Sequence, residues 1–262
     1  MDSSAVRRAS GPRRLSSAVG ALVLAGCAIA PAPPHAAIEG EARRVVDRLT
    51  AHWQEFHDLR ALADVTLKRG SDRQRLSGVL LAGAPASVRF EALSPFGQPF
   101  LFVAMHEGRI TVYNAATNEA RVGTASVESA AELISLPVEP EDLVALLSGR
   151  AAPPRDLRTA EIMPPDEMGP SINLVGRYNR QRVWLDFETG IARQVTITGG
   201  RTEATVTFQR AADGTLGGLD VTAGNGYVTG AVRYRSLALN AGVEPERFAL
   251  SPPKDAKIQT IR

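Results

Sequence analysis

The sequence predicts a mainly β protein: an incomplete (unclosed) antiparallel β-barrel of about 10–12 strands, with an N-terminal helix and a two-helix insertion as lid. Three observations predict it. From Leu59 onward, apolar and polar residues alternate with period two, the spacing of a sheet with one covered face. Glycine, proline and asparagine pairs interrupt that pattern at intervals too short for helical crossovers, so the strands must run antiparallel. Helical spacing returns in only two places, Ile38–Phe56 and the stretch from Ser126 to Ser148.

The chain opens on Arg7, Arg8, Arg13 and Arg14, followed by an apolar segment from Leu15 to Ala25. That is the layout of a secretory signal, and it is well short of the roughly 20 residues that span a bilayer. Its two Arg-Arg pairs lack the rest of a twin-arginine export motif. The segment ends in Leu24-Ala25-Gly26-Cys27, which resembles the lipobox of bacterial lipoproteins. The resemblance implies cleavage after Gly26 and acylation of Cys27, so that the protein binds membrane lipid through its new N-terminus. The alternative is a core cysteine behind an ordinary signal. Ala28 is not the aspartate that retains lipoproteins of enteric bacteria in the inner membrane, so the resemblance points to the periplasmic face of the outer membrane. The expected organisation is a signal peptide at 1–26, the lipidated cysteine with a Pro/Ala-rich tether at 27–37, and a barrel domain at 38–262. At ~3.1 Å per residue the tether reaches about 30 Å or less.

Removal of residues 1–26 leaves 26 basic and 27 acidic residues, so the formal +2 of the whole chain becomes −1. A near-neutral chain lacks the electrostatic footprint of a nucleic-acid binder. Hydrophobic residues make up 44% of the sequence, enough for one sizeable core. Cys27 is the only cysteine, so an acylated Cys27 leaves no thiol for a disulfide or a metal.

In Ile38–Phe56, the residues Ala42, Val45, Val46, Leu49, Trp53 and Phe56 share one helical face, with Glu41, Arg44, Asp47, Arg48 and Glu55 off its centre. The first meander has runs at Leu59–Lys68, Gln74–Ala82, Ala86–Leu93, Pro99–Met105, Arg109–Asn114 and Glu119–Gly123. Two short helices follow, one capped by Ser126 and one from Glu139 with Pro140 in its first turn and Gly149 as its stop. Five prolines between Arg150 and Pro170 suggest an irregular loop. The second meander has runs at Ile172–Tyr178, Arg182–Phe187, Arg193–Ile197, Glu203–Arg210, Leu219–Val221 and Gly226–Leu239, with a turn expected at Asn179-Arg180.

The run Phe100–Met105 is apolar on both faces, so it is either covered twice or lines an apolar cavity. The cavity reading assigns Val65, Leu80, Phe90, Phe102 and Val112 to its wall. Leu49, Trp53 and Phe56 would roof it, and Ile134, Leu143 and Leu147 would belong to the lid.

The sequence contains no G-x-S-x-G, H-E-x-x-H, P-loop or dinucleotide fingerprint. Its four histidines have no ligand-like spacing, and Glu139, Glu141 and Asp142 suit a helix N-terminus. No enzyme activity, metal or cofactor is therefore expected. The remaining candidate is the turn Ser94-Pro95-Phe96-Gly97-Gln98-Pro99, where Phe96 either protrudes between stiffening prolines or folds back onto a strand.

Val88-Arg89-Phe90-Glu91-Ala92-Leu93-Ser94-Pro95-Phe96-Gly97, followed by the two helices from Ser126 to Gly149, resembles the LolB family of outer-membrane lipoprotein receptors, within the LolA/LolB-like barrel superfamily. The likeness runs from about Leu59 to Leu239 in the order of elements. The segment from Leu239 to Phe248 with Pro252-Pro253 is closer to LolA-like lipoproteins. The resemblance implies a monomer that binds acyl chains or lipoproteins in the barrel and receives them from a soluble LolA-like carrier. It also implies that the loop Pro95, Phe96, Gly97 inserts them into the outer membrane, with Phe96 where LolB carries a protruding leucine. A non-transferring lipoprotein that acts as a protein-interaction module of the envelope is the competing expectation.

Overall fold

A computed structural model describes residues 38–134, 138–177, 179–199 and 202–261. The expected signal peptide, Cys27 and the tether lie outside the described residues. His35–Arg262 form one compact unit.

The amphipathic segment is helix α1 (Gly40–Gln54), which buries Val45, Val46 and Leu49. The first meander is β1 (Asp58–Arg69), β2 (Asp72–Gly83), β3 (Ser87–Leu93), β4 (Pro99–His106), β5 (Arg109–Asn114) and β6 (Glu119–Thr124). Helices α2 (Val127–Ile134) and α3 (Pro140–Leu147) follow. The second meander is β7 (Thr159–Asp166), β8 (Gly169–Val175), β9 (Asn179–Leu185), β10 (Ala192–Gly199), β11 (Thr202–Arg210), β12 (Leu216–Ala223) and β13 (Val228–Leu239). A single 3-10 turn (Pro245–Phe248) and β14 (Lys257–Thr260) end the chain.

The fourteen strands among the described residues form one sheet, in the order β14-β6-β5-β4-β3-β2-β1-β13-β12-β11-β10-β9-β8-β7. The long β1–β13 ladder, with a bulge between Leu62 and Ala63, joins the two meanders. The end strands β14 and β7 do not pair with each other, so the barrel stays open. The expected mainly β, unclosed architecture with an N-terminal helix and helical insertions is the observed one.

Two strands exceed the twelve sequence runs. β7 lies inside the segment expected to be an irregular loop, and its pairing with β8 shifts between Met163 and Asp166. Pro164 and Pro165 fall in that irregularity of an edge strand, where no ladder donor is needed. β14 is a four-residue edge strand with exposed side chains that runs parallel to β6, so it carries no alternation to detect. The β8–β9 turn also sits before the expected Asn179-Arg180, closing where the Gly176 N–H donates to the Asn179 carbonyl over 2.9 Å.

Register separates the two faces. Leu80, Phe90, Val103 and Val112 stand opposite one another on the concave face, and so do Val65, Val232 and Leu219. Helix α3 packs into that face against β2, β3 and β12, while α1 packs near β7. The C-terminal tail covers the convex face of the first meander. Phe248 is buried there, stacked 6.0 Å from the His106 ring, whereas Ile261 fills the space beside Gly123, on the face that the cavity residue Ile110 shares. Asn240 locks the end of β13 to the α1–β1 junction. Its side chain accepts from the His57 N–H and donates to the Glu55 carbonyl, each over 2.9 Å, and Asp58 accepts the N–H groups of Ala241 and Gly242.

Candidate functional site: an apolar cavity and an exposed turn

The concave face is wider than the helices that cover it. Between α2, α3 and the strands lies a cavity of about 200 Å³. Val65, Leu80 and Phe90 form part of its wall, and Leu143 and Leu147 of the lid close over it. Apart from the Thr66 hydroxyl, every lining side chain is hydrocarbon or methionine, so the cavity offers no acid, base or nucleophile. Among the described residues, no group of three or more His, Cys, Asp and Glu could hold a metal ion. What the lining offers is apolar contact.

Several expected positions are corrected. Phe102 pairs with Glu91 and Tyr113 on the opposite face from Phe90, and its ring stacks on Tyr113 at 5.9 Å. Its neighbour Val103 takes the cavity position. Val112 is on the concave face but lies outside the cavity lining, whereas Ile110 on the same strand is part of it. Leu49 and Phe56 are fully buried in the core beneath α1, with Trp53 half-buried and stacked on Phe56 at 5.7 Å, and none of the three lines the cavity. The side chain of Ile134 lies outside the described part of α2. Sequence reasoning missed Met105, Leu146, Val206, Leu219, Val221 and Val232. The last four sit on strands of the second meander, whose position across the cavity depends on the β1–β13 pairing.

The lid helix α3 is held at both ends. At its C-terminus Gly149, with φ +75°, completes a Schellman turn: the Gly149 N–H donates to Leu146 and the Arg150 N–H to Ala145. Tyr234 Oη donates to the Leu147 carbonyl at 2.5 Å, and Arg210 Nη2 to the Gly149 carbonyl at 2.7 Å. Burial pushes the Tyr234 hydroxyl upward, so it stays a donor. Arg150 donates to the His52 carbonyl, and its guanidinium lies 5.6 Å from the Phe56 ring centre. Near its N-terminus, Asp142 is buried and accepts from Gln181 Nε2 on β9 at 3.0 Å. Burial, then Glu139 and Glu141, push its carboxyl up to about 7. Its second oxygen and the Gln181 amide oxygen are buried without a partner among the described residues. A carboxylate would leave a charge buried at an oxygen with no donor, so the neutral acid suits this site.

At the β3–β4 turn the Gly97 N–H donates to the Ser94 carbonyl (2.9 Å) and the Ser94 N–H to the Gln98 carbonyl (2.8 Å). With Gly97 at φ +77°, this is a three-residue hairpin loop ending in a left-handed residue. It leaves Phe96 92% exposed, the most exposed large apolar side chain among the described residues. Among the described residues, no helix is long and apolar enough to cross a membrane.

No protein-family model and no curated protein matches the chain. Solved structures do match its fold. A domain described as an outer membrane lipoprotein-sorting protein from Vibrio parahaemolyticus aligns with TM-score 0.54 and 15% identity, covering 79% of this chain and 94% of that one. A DUF1329 family protein from Desulfovibrio piger aligns with TM-score 0.58 and 13% identity over 80% of this chain and 98% of that one. A LolA superfamily protein from Nitrosomonas europaea aligns with TM-score 0.54 and 10% identity over 81% and 99%. The chain thus shares the fold of lipoprotein-sorting and LolA superfamily domains, at a sequence distance where the fold is what is common.

Proposed function

We propose that the protein is a lipid-anchored envelope protein at the periplasmic face of the outer membrane that takes acyl chains of lipids or lipoproteins into its cavity and passes them through the Phe96 loop. The observation that carries this reading is the apolar cavity roofed by two short helices. Burial of a chain there gains about 0.8 kcal/mol per CH₂. At about 200 Å³ the cavity is below the ~300–1,000 Å³ of typical ligand sites, so a bound chain requires α2 and α3 to move outward. The protein acts as a monomer and receives its cargo from a soluble LolA-like carrier.

An acyl probe tests the reading. Domain His35–Arg262 is expected to bind a fluorescent fatty acid, and Val221→Phe, which fills the cavity from the β12 side, is expected to weaken binding at least about tenfold with an unchanged fold. Wild-type protein that takes up no acyl probe would leave a protein-interaction module as the better account. The anchor has its own test. Cys27→Ala is expected to abolish palmitate labelling and signal processing, and labelling that persists in the variant overturns the assignment of Cys27.

A further inference from the structure

The tip of the β1–β2 hairpin reads Lys68-Arg69-Gly70-Ser71-Asp72-Arg73-Gln74-Arg75, four cations to one anion, with all five charged residues exposed. Several basic side chains on neighbouring strands are paired: Arg235 with Asp64, Arg233 with Asp220, Arg182 with Asp166. Among the described residues, Lys68, Arg69 and Arg73 make no ion pair or side-chain hydrogen bond, and Arg75 only feels Asp64, which Arg235 already holds. Lys68 and Arg73 also stand directly opposite each other across the ladder. Like charges in that register destabilise a hairpin.

The hairpin is also placed where such charge can act. β2 pairs with β3 only from Gly78 onward, so Asp72–Ser77 project past the end of β3. Tyr227, 61% exposed, lies beside Gly70, whose N–H donates to the Tyr227 carbonyl over 3.0 Å. The apolar cavity extends to Leu67 and Val228, at the base of the hairpin tip and of the neighbouring strand. Arg75 shares a surface notch with Pro95 and Gly97 of the Phe96 loop. Unpaired cations, an exposed aromatic, the Phe96 loop and the near end of the cavity therefore meet at one end of the sheet.

We propose that this basic hairpin seats that end of the barrel on an anionic phospholipid surface, so that a chain leaving the cavity enters the bilayer directly. The inference rests on the acyl-transfer reading and adds the charge of the membrane that receives the cargo. Each Lys or Arg close to an anionic leaflet adds attraction that decays within a Debye length, and tyrosine favours the headgroup layer.

Co-sedimentation of domain His35–Arg262 with phosphatidylcholine vesicles, with or without phosphatidylglycerol, tests it. Wild type is expected to favour the anionic vesicles. The triple variant Arg69→Gln, Arg73→Gln, Arg75→Gln is expected to lose about a hundredfold of that affinity and no thermal stability. Raised salt should have the same effect on wild type. Equal association of wild type with both vesicle types, or an unchanged triple variant, overturns the proposal. Phe96→Ser separates the two readings, because it should weaken binding to both compositions while preserving the preference for the anionic one. If it weakens neither, the loop reading fails and the charge dependence still decides the hairpin.

Discussion

Asp142→Asn is expected to stabilise the protein above neutral pH and to leave it nearly unchanged in acid. The folded state holds the Asp142 carboxyl up to about 7, against an ordinary value of 3.8, first through burial and then through Glu139 and Glu141. Below about pH 4 both folded and unfolded chains carry the proton, and Asp142 costs nothing. As pH rises toward 7 the unfolded chain releases the proton while the folded chain retains it, so stability falls; above about 7 both are ionised and the loss is complete. The interval between 3.8 and about 7 caps that loss at about 4 kcal/mol. Asparagine carries no charge and keeps a carbonyl that can accept from Gln181 Nε2, as the acid does. Thermal unfolding from pH 4 to 8 measures the effect. A variant whose midpoint follows the wild-type pH profile overturns the assignment. Asp142→Ala is expected to destabilise at every pH, because it strips the buried Gln181 of its partner. Asp142 sits on the lid, so Asp142→Asn should also slow entry of the acyl probe.

Residues that depend on local rules alone were legible in the sequence. The twelve runs, the Ser126 cap, whose Oγ accepts from the Ser129 N–H at 3.2 Å, and the Gly149 stop all follow from spacing and turn chemistry. β14 was not, because four exposed residues docked by parallel pairing have no pattern of their own. Phe102 shows a second limit. In a run apolar on both sides, alternation cannot say which face is inward, and only the pairing of Phe90 with Val103 decides it. The far wall of the cavity was out of reach for a related reason. Leu219 and Val232 join Val65 only through the β1–β13 ladder, which links residues at opposite ends of the domain. The α1 face was read correctly as apolar, but its partner was misassigned. Leu49 and Phe56 complete the solid core and leave the cavity to α2 and α3. The Asp142–Gln181 pair also escaped sequence reasoning, because an aspartate in the first turn of a helix is ordinarily a solvated partner of the dipole.

Phe96→Glu is expected to leave folding intact and to disable transfer. With 92% of the side chain in water, Phe96 contributes little to the core, so the variant should lose at most about 0.5 kcal/mol of stability. The loop needs no help from the ring, because its geometry rests on the Ser94 and Gln98 backbone bonds and on the left-handed Gly97. If the loop enters a bilayer, a buried phenylalanine contributes about 1.5–3 kcal/mol, and a carboxylate in its place opposes entry further. Vesicle insertion and lipoprotein hand-over should then fall by at least about tenfold. Phe96→Leu, which keeps an apolar tip of smaller size, should retain most of both. This pair of variants separates an apolar anchor from a specific aromatic contact: a protein partner that grips the ring would lose affinity with leucine as well, whereas a bilayer discriminates against the charge. Thermal unfolding, vesicle insertion and hand-over measured on the same samples decide among these outcomes. If both variants insert and transfer like wild type at an unchanged melting temperature, the loop has no part in transfer, and the exposed phenylalanine has to be explained by something other than the membrane.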